Sequence, residues 1–176
     1  MKLRYLILPL AIASASSSWA ATDGTLGATS AGTTVVSVDV PDTVQVSVEQ
    51  NVNMTYNQGV DSTGSTGICI YHRAVATAAL TLSSSNQNSV GGTNPTLFNM
   101  LFGGNLLPYT VALSGASVVG SVTSGAKMSS IAADSAQVTC NGAFPISIDV
   151  NVSTGDLEST PAGTYTDTVT VLVEPT

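Results

Sequence analysis

The strongest constraint on this fold is an alternation of side chains, with a period of two residues, between positions 34 and 56. Valine recurs at every second position through most of this stretch, and polar residues such as Ser37, Asp39 and Gln45 separate the valines. Such alternation is typical of strands with one buried and one solvated face. Pro41 divides the stretch into two predicted strands, because proline cannot donate a hydrogen bond to a strand ladder.

Two further strands are predicted near the C-terminal end of the sequence. In the first, the apolar positions are Ile146, Ile148, Val150 and Val152. In the second, Tyr165, Val169, Val171 and Val173 share one face, opposite a row of threonines. Residues 61–67 and 158–163 are rich in turn-forming residues and are predicted to be a loop and a turn. Short strands separated by turns, without an amphipathic helix, predict an all-β sandwich of the immunoglobulin-like type.

The first twenty residues have the pattern of a secretory signal peptide. Lys2 and Arg4 precede an apolar run of about nine residues, whereas a bilayer span needs about twenty. Small residues around Ala20 suit cleavage after that position. We therefore expect a signal peptide at 1–20, an N-terminal extension at 21–41 and a sandwich domain at 42–176, with no membrane span in the mature chain.

Cys69 and Cys140 are predicted to form a disulfide, because an exported chain with an even number of cysteines usually oxidises them. His72 is predicted to be an exposed polar residue near a strand end. It is the only histidine, and the scattered acidic residues lack the spacing of metal ligands. We therefore expect no catalytic residues, no metal and no cofactor. The net charge of -7 argues against binding to nucleic acid.

The start of the mature chain combines a loose segment with an apolar strand. Residues 21–32 are rich in Gly, Thr, Ser and Ala, and they lead directly to Val36, Val38 and Val40, with Thr34 at a polar outer position. Three buried valines and a row of main-chain hydrogen bonds would hold this strand firmly in a groove. The strand either begins its own sandwich or is donated to another subunit.

Two segments of the sequence resemble a known family. Pro161–Val171 resembles the closing strand of the spore coat protein U-like pilins of chaperone-usher systems, a Pro-x-Gly-x-Tyr-x-Asp pattern followed by alternating apolar residues. Ala31–Val40 resembles the donor strand of these proteins. The resemblance implies an incomplete sandwich that is completed by a donated N-terminal strand. Thr34, Val36, Val38 and Val40 would form the donor strand. The edge of the acceptor groove would comprise Tyr165, Val169, Val171 and Val173.

This resemblance also implies a function and a set of partners. The expected function is that of a structural subunit of a surface pilus, or fimbria, that serves adhesion or biofilm formation. The expected partners are identical or homologous pilin subunits, a periplasmic chaperone and an outer-membrane usher. Such a subunit would be exported through the periplasm to the cell surface. The alternative from the residues alone is a monomeric secreted β-sandwich that binds a carbohydrate or another surface partner.

Overall fold

The computed structural model describes residues 22–73, 75–86, 97–115 and 120–176. The predicted signal peptide, residues 1–20, lies outside these described residues. The chain divides after Val40, so that residues 22–40 belong to a first unit and Pro41–Thr176 form a second. In the first unit, Thr22 and Thr33 form an isolated antiparallel bridge, and none of residues 34–40 is in a β-strand.

The second unit consists mainly of β-strands. They are β1 (Val44–Val48), β2 (Ser62–His72), β3 (Thr77–Ser84), β4 (Phe98–Phe102), β5 (Asn105–Gly115), β6 (Gly120–Val122), β7 (Lys127–Ala132), β8 (Ile146–Val152) and β9 (Val169–Glu174). A single 3-10 turn (Cys140–Gly142) precedes β8, and the short helix α1 (Thr154–Ser159) follows it. No helix in the described part of the chain is long and apolar enough to span a membrane.

These strands form two antiparallel sheets. The larger sheet has the order β1-β2-β8-β5-β4, and β6 also pairs with β5. The smaller sheet has the order β7-β3-β9. Apolar side chains from both sheets form one core cluster, which includes Ile68, Ile70, Leu80, Leu82, Val111, Leu113, Ile146 and Ile148. The predicted all-β sandwich is therefore confirmed.

Strand β8 has the predicted alternation, and its position in the sheet explains why. Its four apolar residues are buried, while the three residues between them are half-buried on the outer face. β2 and β5 flank it on either side, so that hydrogen bonds hold both of its edges. A strand enclosed in this way has a fixed register, because a slip of one residue would turn every apolar side chain outward.

The predicted loop at 61–67 is wrong, because Ser62 begins the long strand β2. Glycines in this segment suggested a turn, but they serve close packing instead. A Cβ atom at Gly64 would lie 2.5 Å from the Val52 side chain, and one at Gly67 would lie 2.4 Å from Phe144 Cβ. Glycine in a strand often marks such a close approach. Gly64 pairs with the core residue Val150 and Gly67 with Ser147, so the two approaches are on opposite faces of β2. Each is possible only because the position lacks a side chain.

Two other predictions need correction. The turn predicted at 158–163 overlaps the end of α1, which Ser153 caps by accepting a hydrogen bond from the Asp156 N–H at 3.2 Å. His72 is fully buried instead of exposed, since it ends β2 on the inward face and pairs with Val44 of β1. The sequence pattern does not reveal this position as inward-facing, because His72 is polar.

The predicted disulfide is confirmed. Cys69 in β2 is bonded to Cys140 in the 3-10 turn, across 71 residues of sequence, and both residues are buried. The bond holds the segment between β7 and β8 against β2. Main-chain bonds add to this attachment, because the Asp134 N–H donates to Ile70 O and the His72 N–H donates to Asp134 O.

Candidate strand-acceptor site

Each sheet of the sandwich ends in a strand that has one free edge. Among the described residues, β1 pairs only with β2, and β9 pairs only with β3. β1 and β9 are also spatial neighbours across the gap between the sheets. Two rows of main-chain N–H and C=O groups therefore lie near each other, and free edges of this kind are templates for another strand.

The inward side chains of these two edge strands are valines that the core covers incompletely. The β1 valines pair with His72, Ile70 and Ile68, which are at most 1% exposed, so they lie on the inward face. Those of β9 likewise pair with buried residues of β3. Nevertheless Val48 is 49% exposed, and the others are only partly buried. The six residues, which we call the valine seam, are Val44, Val46, Val48, Val169, Val171 and Val173.

The two strands that border the valine seam run in opposite directions. Thr43, just before β1, accepts a hydrogen bond from the Arg73 N–H at 3.0 Å. Thr176, just after β9, approaches Thr77 through its hydroxyl, which lies 3.5 Å from the Thr77 carbonyl oxygen. Residues 73 and 77 flank the short connection from β2 to β3, so the start of β1 and the end of β9 lie at one end of the sandwich. A strand between them would be parallel to one and antiparallel to the other.

The Pro-x-Gly-x-Tyr-x-Asp pattern forms the entry to β9. Tyr165 donates a hydrogen bond from its hydroxyl to Pro161 O at 2.9 Å, and its ring centre lies 5.5 Å from that of Phe102. Gly163 is packed against the same ring, since a Cβ atom there would lie 2.2 Å from it. Thr166 bridges to Leu101 in the larger sheet, so Tyr165 lies before β9 instead of within it.

Asp167, the last residue of the pattern, ties the start of β9 to its neighbours. Its carboxylate accepts hydrogen bonds from the hydroxyls of Tyr109 and Ser84, both at 2.6 Å. It also accepts the Ser85 N–H at 3.1 Å and the Thr168 N–H at 2.7 Å. Burial, together with this carboxylate, raises the pKa of Tyr109 far above its usual range. The aspartate therefore connects β5 of the larger sheet to β3 and β9 of the smaller one.

At the other end of the valine seam, His72 holds the segment that precedes β1. Its Nε2 atom lies 2.8 Å from Asp42 Oδ1, and its Nδ1 atom contacts the carbonyl oxygen of Thr77. Both partners accept hydrogen bonds, so both contacts are satisfied together when both ring nitrogens donate, as they do in the imidazolium. The Thr77 hydrogen bond, and to a lesser degree Asp42, raise the pKa of His72 against the opposing effect of burial.

The predicted site residues are found in both units. Val169, Val171 and Val173 lie together on the inward face of β9, where the valines of β1 form the second wall. Sequence reasoning missed that wall, although the alternation at 44–48 was visible. Val36 and Val38 are 91% and 84% exposed in the first unit, and Thr34 and Val40 are exposed as well. Within the described residues, no cluster of side chains could hold a metal ion.

Comparisons with known proteins support the fold. No family model and no curated protein matches the sequence. A solved structure described as a chaperone–tip adhesin complex, in work on the biogenesis of CFA/I fimbriae, contains a similar chain, with a TM-score of 0.53 and 19% identity. The similarity covers 76% of this chain and only 41% of that one. At this identity the similarity shows a shared fold.

Proposed function

We propose that the protein is a structural subunit of a surface pilus and that it assembles by donor-strand exchange. The valine seam, bordered by two free strand edges, is the observation that carries this proposal. Such a site lacks one strand with apolar side chains at every second position. The fold shared with a chain of a fimbrial chaperone–adhesin complex supports the same assignment.

The segment that fits this site best is residues 34–40 of a second copy of the chain. In an extended strand, Val36, Val38 and Val40 would project from one face, and all three are exposed to solvent in the first unit. Burying them in the valine seam would contribute roughly 1.5 kcal/mol for each side chain. The strand's main chain would also pair with the free edges of β1 and β9.

An unfilled valine seam would promote aggregation, since it combines apolar side chains with unpaired strand edges. This chemistry explains why such a subunit would need a periplasmic chaperone before assembly and an outer-membrane usher during it. The assembled chain would be displayed on the cell surface, where it would serve adhesion or biofilm formation. In this proposal the protein has a structural and adhesive role, and no residue acts as a catalyst.

The size distribution of the oxidised protein, produced from residue 21 onward, tests this proposal. Size-exclusion chromatography with light scattering would compare the wild type with a triple-serine variant, in which Val36, Val38 and Val40 are each replaced by serine. We expect heat-resistant multimers of the wild type and their loss in the triple-serine variant. Val35→Ser is the matched control, because Val35 is also exposed but would lie on the opposite face of the donated strand. This control should retain the multimers.

The contrary result is equally clear. If the wild type, the control and the triple-serine variant all elute as monomers of equal thermal stability, the strand is neither donated nor needed. The proposed pilin function would then be wrong, and the search should turn to ligands of a monomeric sandwich.

A further inference from the structure

We propose that residues 41–43, which begin the second unit and which we call the link, prevent a chain from filling its own valine seam. The inference rests on the proposed function and explains why the donated strand would come from a second copy. Residues 34–40 could reach the free edge of β1 within one chain only by a tight hairpin through this link. The register, the turn geometry and the contacts of the link all oppose that hairpin.

Register excludes hairpin loops with an even number of residues. Residues directly opposite each other in an antiparallel pair lie on the same face. A loop at 41–42 would place Asp39 opposite Val44, and a loop at 42–43 would place Asp39 opposite Val46. Either pairing would direct the polar face of the strand into the valine seam and leave its valines in solvent. A four-residue loop has the same parity and the same result.

A three-residue loop at 41–43 has the correct register, because it places Val40 opposite Val44. Hairpins of this length usually need their third loop residue in the left-handed conformation. That residue is Thr43, and a β-branched side chain strongly disfavours a positive φ. Among the described non-glycine residues, positive φ occurs only at Ser130, Cys140 and Asn141. A turn at Thr43 would therefore impose a strained backbone.

Contacts with the end of β2 also fix the positions of Asp42 and Thr43. The Thr43 carbonyl accepts the Arg73 N–H at 3.0 Å, so Thr43 continues the alignment of β1 with β2. The Asp42 carboxylate lies 2.8 Å from the ring of His72, a side chain that is 0% exposed. A tight turn at these residues would break one or both contacts. Because the histidine is buried, it cannot follow Asp42 into a new position.

A single substitution tests the inference. Thr43→Gly creates a Pro-Asp-Gly link, which suits a three-residue hairpin because glycine accepts the left-handed conformation. Thr43→Ala is the matched control, since it removes the same side chain without permitting that conformation. At one protein concentration, we expect Thr43→Gly to raise the ratio of heat-stable monomer to multimer about tenfold over the control. A second variant, Asp42→Ala with Thr43→Gly, also removes the contact with His72 and should raise the ratio of monomer to multimer further.

Three outcomes distinguish this inference from the proposed function. Monomers of Thr43→Gly that lose their heat stability when the triple-serine changes are added would show that the chain now fills its own valine seam, as expected. Equal multimer content in Thr43→Gly, Thr43→Ala and the wild type would overturn the inference and leave the pilin proposal standing. A wild-type monomer whose stability depends on Val36, Val38 and Val40 would overturn both.

Discussion

Asp167 connects the two sheets through the hydrogen bonds of one side chain. Its carboxylate collects the hydroxyls of Tyr109 and Ser84 and two main-chain N–H groups, so that it connects strands from both sheets. Removing this acceptor takes the partner from the Tyr109 hydroxyl, whereas the Ser85 N–H still donates to Thr168 O at 3.0 Å. That loss costs more than the net value of one hydrogen bond.

We predict that Asp167→Ala lowers the free energy of unfolding by about 3 kcal/mol. Tyr109→Phe removes only one of the bonds and should cost about 1 kcal/mol. Glu158→Ala, at an exposed position on α1, is the control and should change stability little. Urea unfolding of the oxidised proteins measures all three. Equal stability of Asp167→Ala and Glu158→Ala would show that the aspartate is not a structural connection.

His72 gives the fold a specific dependence on pH. Its pKa in the folded protein is raised above the ordinary value of 6.5. Folding therefore gains stability from the charged ring below about pH 6.5, and this gain is lost as the pH rises through the higher folded pKa. We predict that the urea midpoint falls over that interval and that Asp42→Asn reduces the slope without abolishing it, because the Thr77 contact remains.

The same pKa can be measured directly, because the chain contains a single histidine and its imidazole NMR signals are unambiguous. A titration midpoint above that of a histidine in the urea-unfolded chain is the expected result. A midpoint below that reference would contradict it, since burial would then outweigh the hydrogen bonds.

At the scale of single elements, the sequence pattern predicted strands well where both neighbours were also strands. β8 is the clearest case, because burial on one face and pairing at both edges leave its alternation undisturbed. The first half of β2 was missed because glycines needed for close packing look like turn residues. The hairpin between β4 and β5 was also missed, although its Gly103-Gly104 dipeptide is a sequence signal for a two-residue hairpin loop. Both glycines have positive φ, as such a loop requires.

The valine seam was only half predictable for a related reason. The alternation showed that β1 and β9 each have an apolar face. It could not show that these two strands are sheet edges and neighbours, because strand order depends on pairings between residues far apart in sequence. Local patterns therefore identified Val169, Val171 and Val173, and the topology added the opposite wall from β1.

The two faces of β9 allow a sharp test of this assignment. Val171 faces the valine seam, whereas its neighbour Leu172 faces outward and is 51% exposed. We predict that Val171→Asp raises the dissociation constant between subunits at least about tenfold, because a charge would be buried beside the donated strand. Leu172→Asp should leave it nearly unchanged. Light scattering across a dilution series measures both, and equal behaviour of the two variants would place the contact elsewhere.

At the scale of the whole molecule, the proposed donor strand and acceptor site would define an interface that joins unlike surfaces. Each copy would give its strand to one neighbour and receive a strand from another. Interfaces of this heterologous kind produce open chains unless the geometry closes them into a ring. The wild-type multimers should therefore form a ladder of sizes instead of a single closed oligomer.

Mixing two defective variants tests this polarity. The triple-serine variant lacks a functional donor strand, and Val171→Asp lacks a functional acceptor site, so each alone should remain a monomer. Together they can form only one productive contact, in which the strand of Val171→Asp enters the site of the triple-serine variant. We predict a one-to-one complex that cannot extend, because the remaining strand and the remaining site are both defective.

Replacing Val171→Asp by Leu172→Asp in this mixture is the control. That variant keeps both a functional strand and a functional site, so it should form longer chains. The triple-serine variant can accept the free strand at one end of such a chain, and it stops growth at that end only. Light scattering with mass spectrometry of the separated species would identify the composition of each. Larger complexes in the first mixture would contradict the polar, strand-for-site contact, because they would require a second interface that uses neither the valine seam nor residues 34–40.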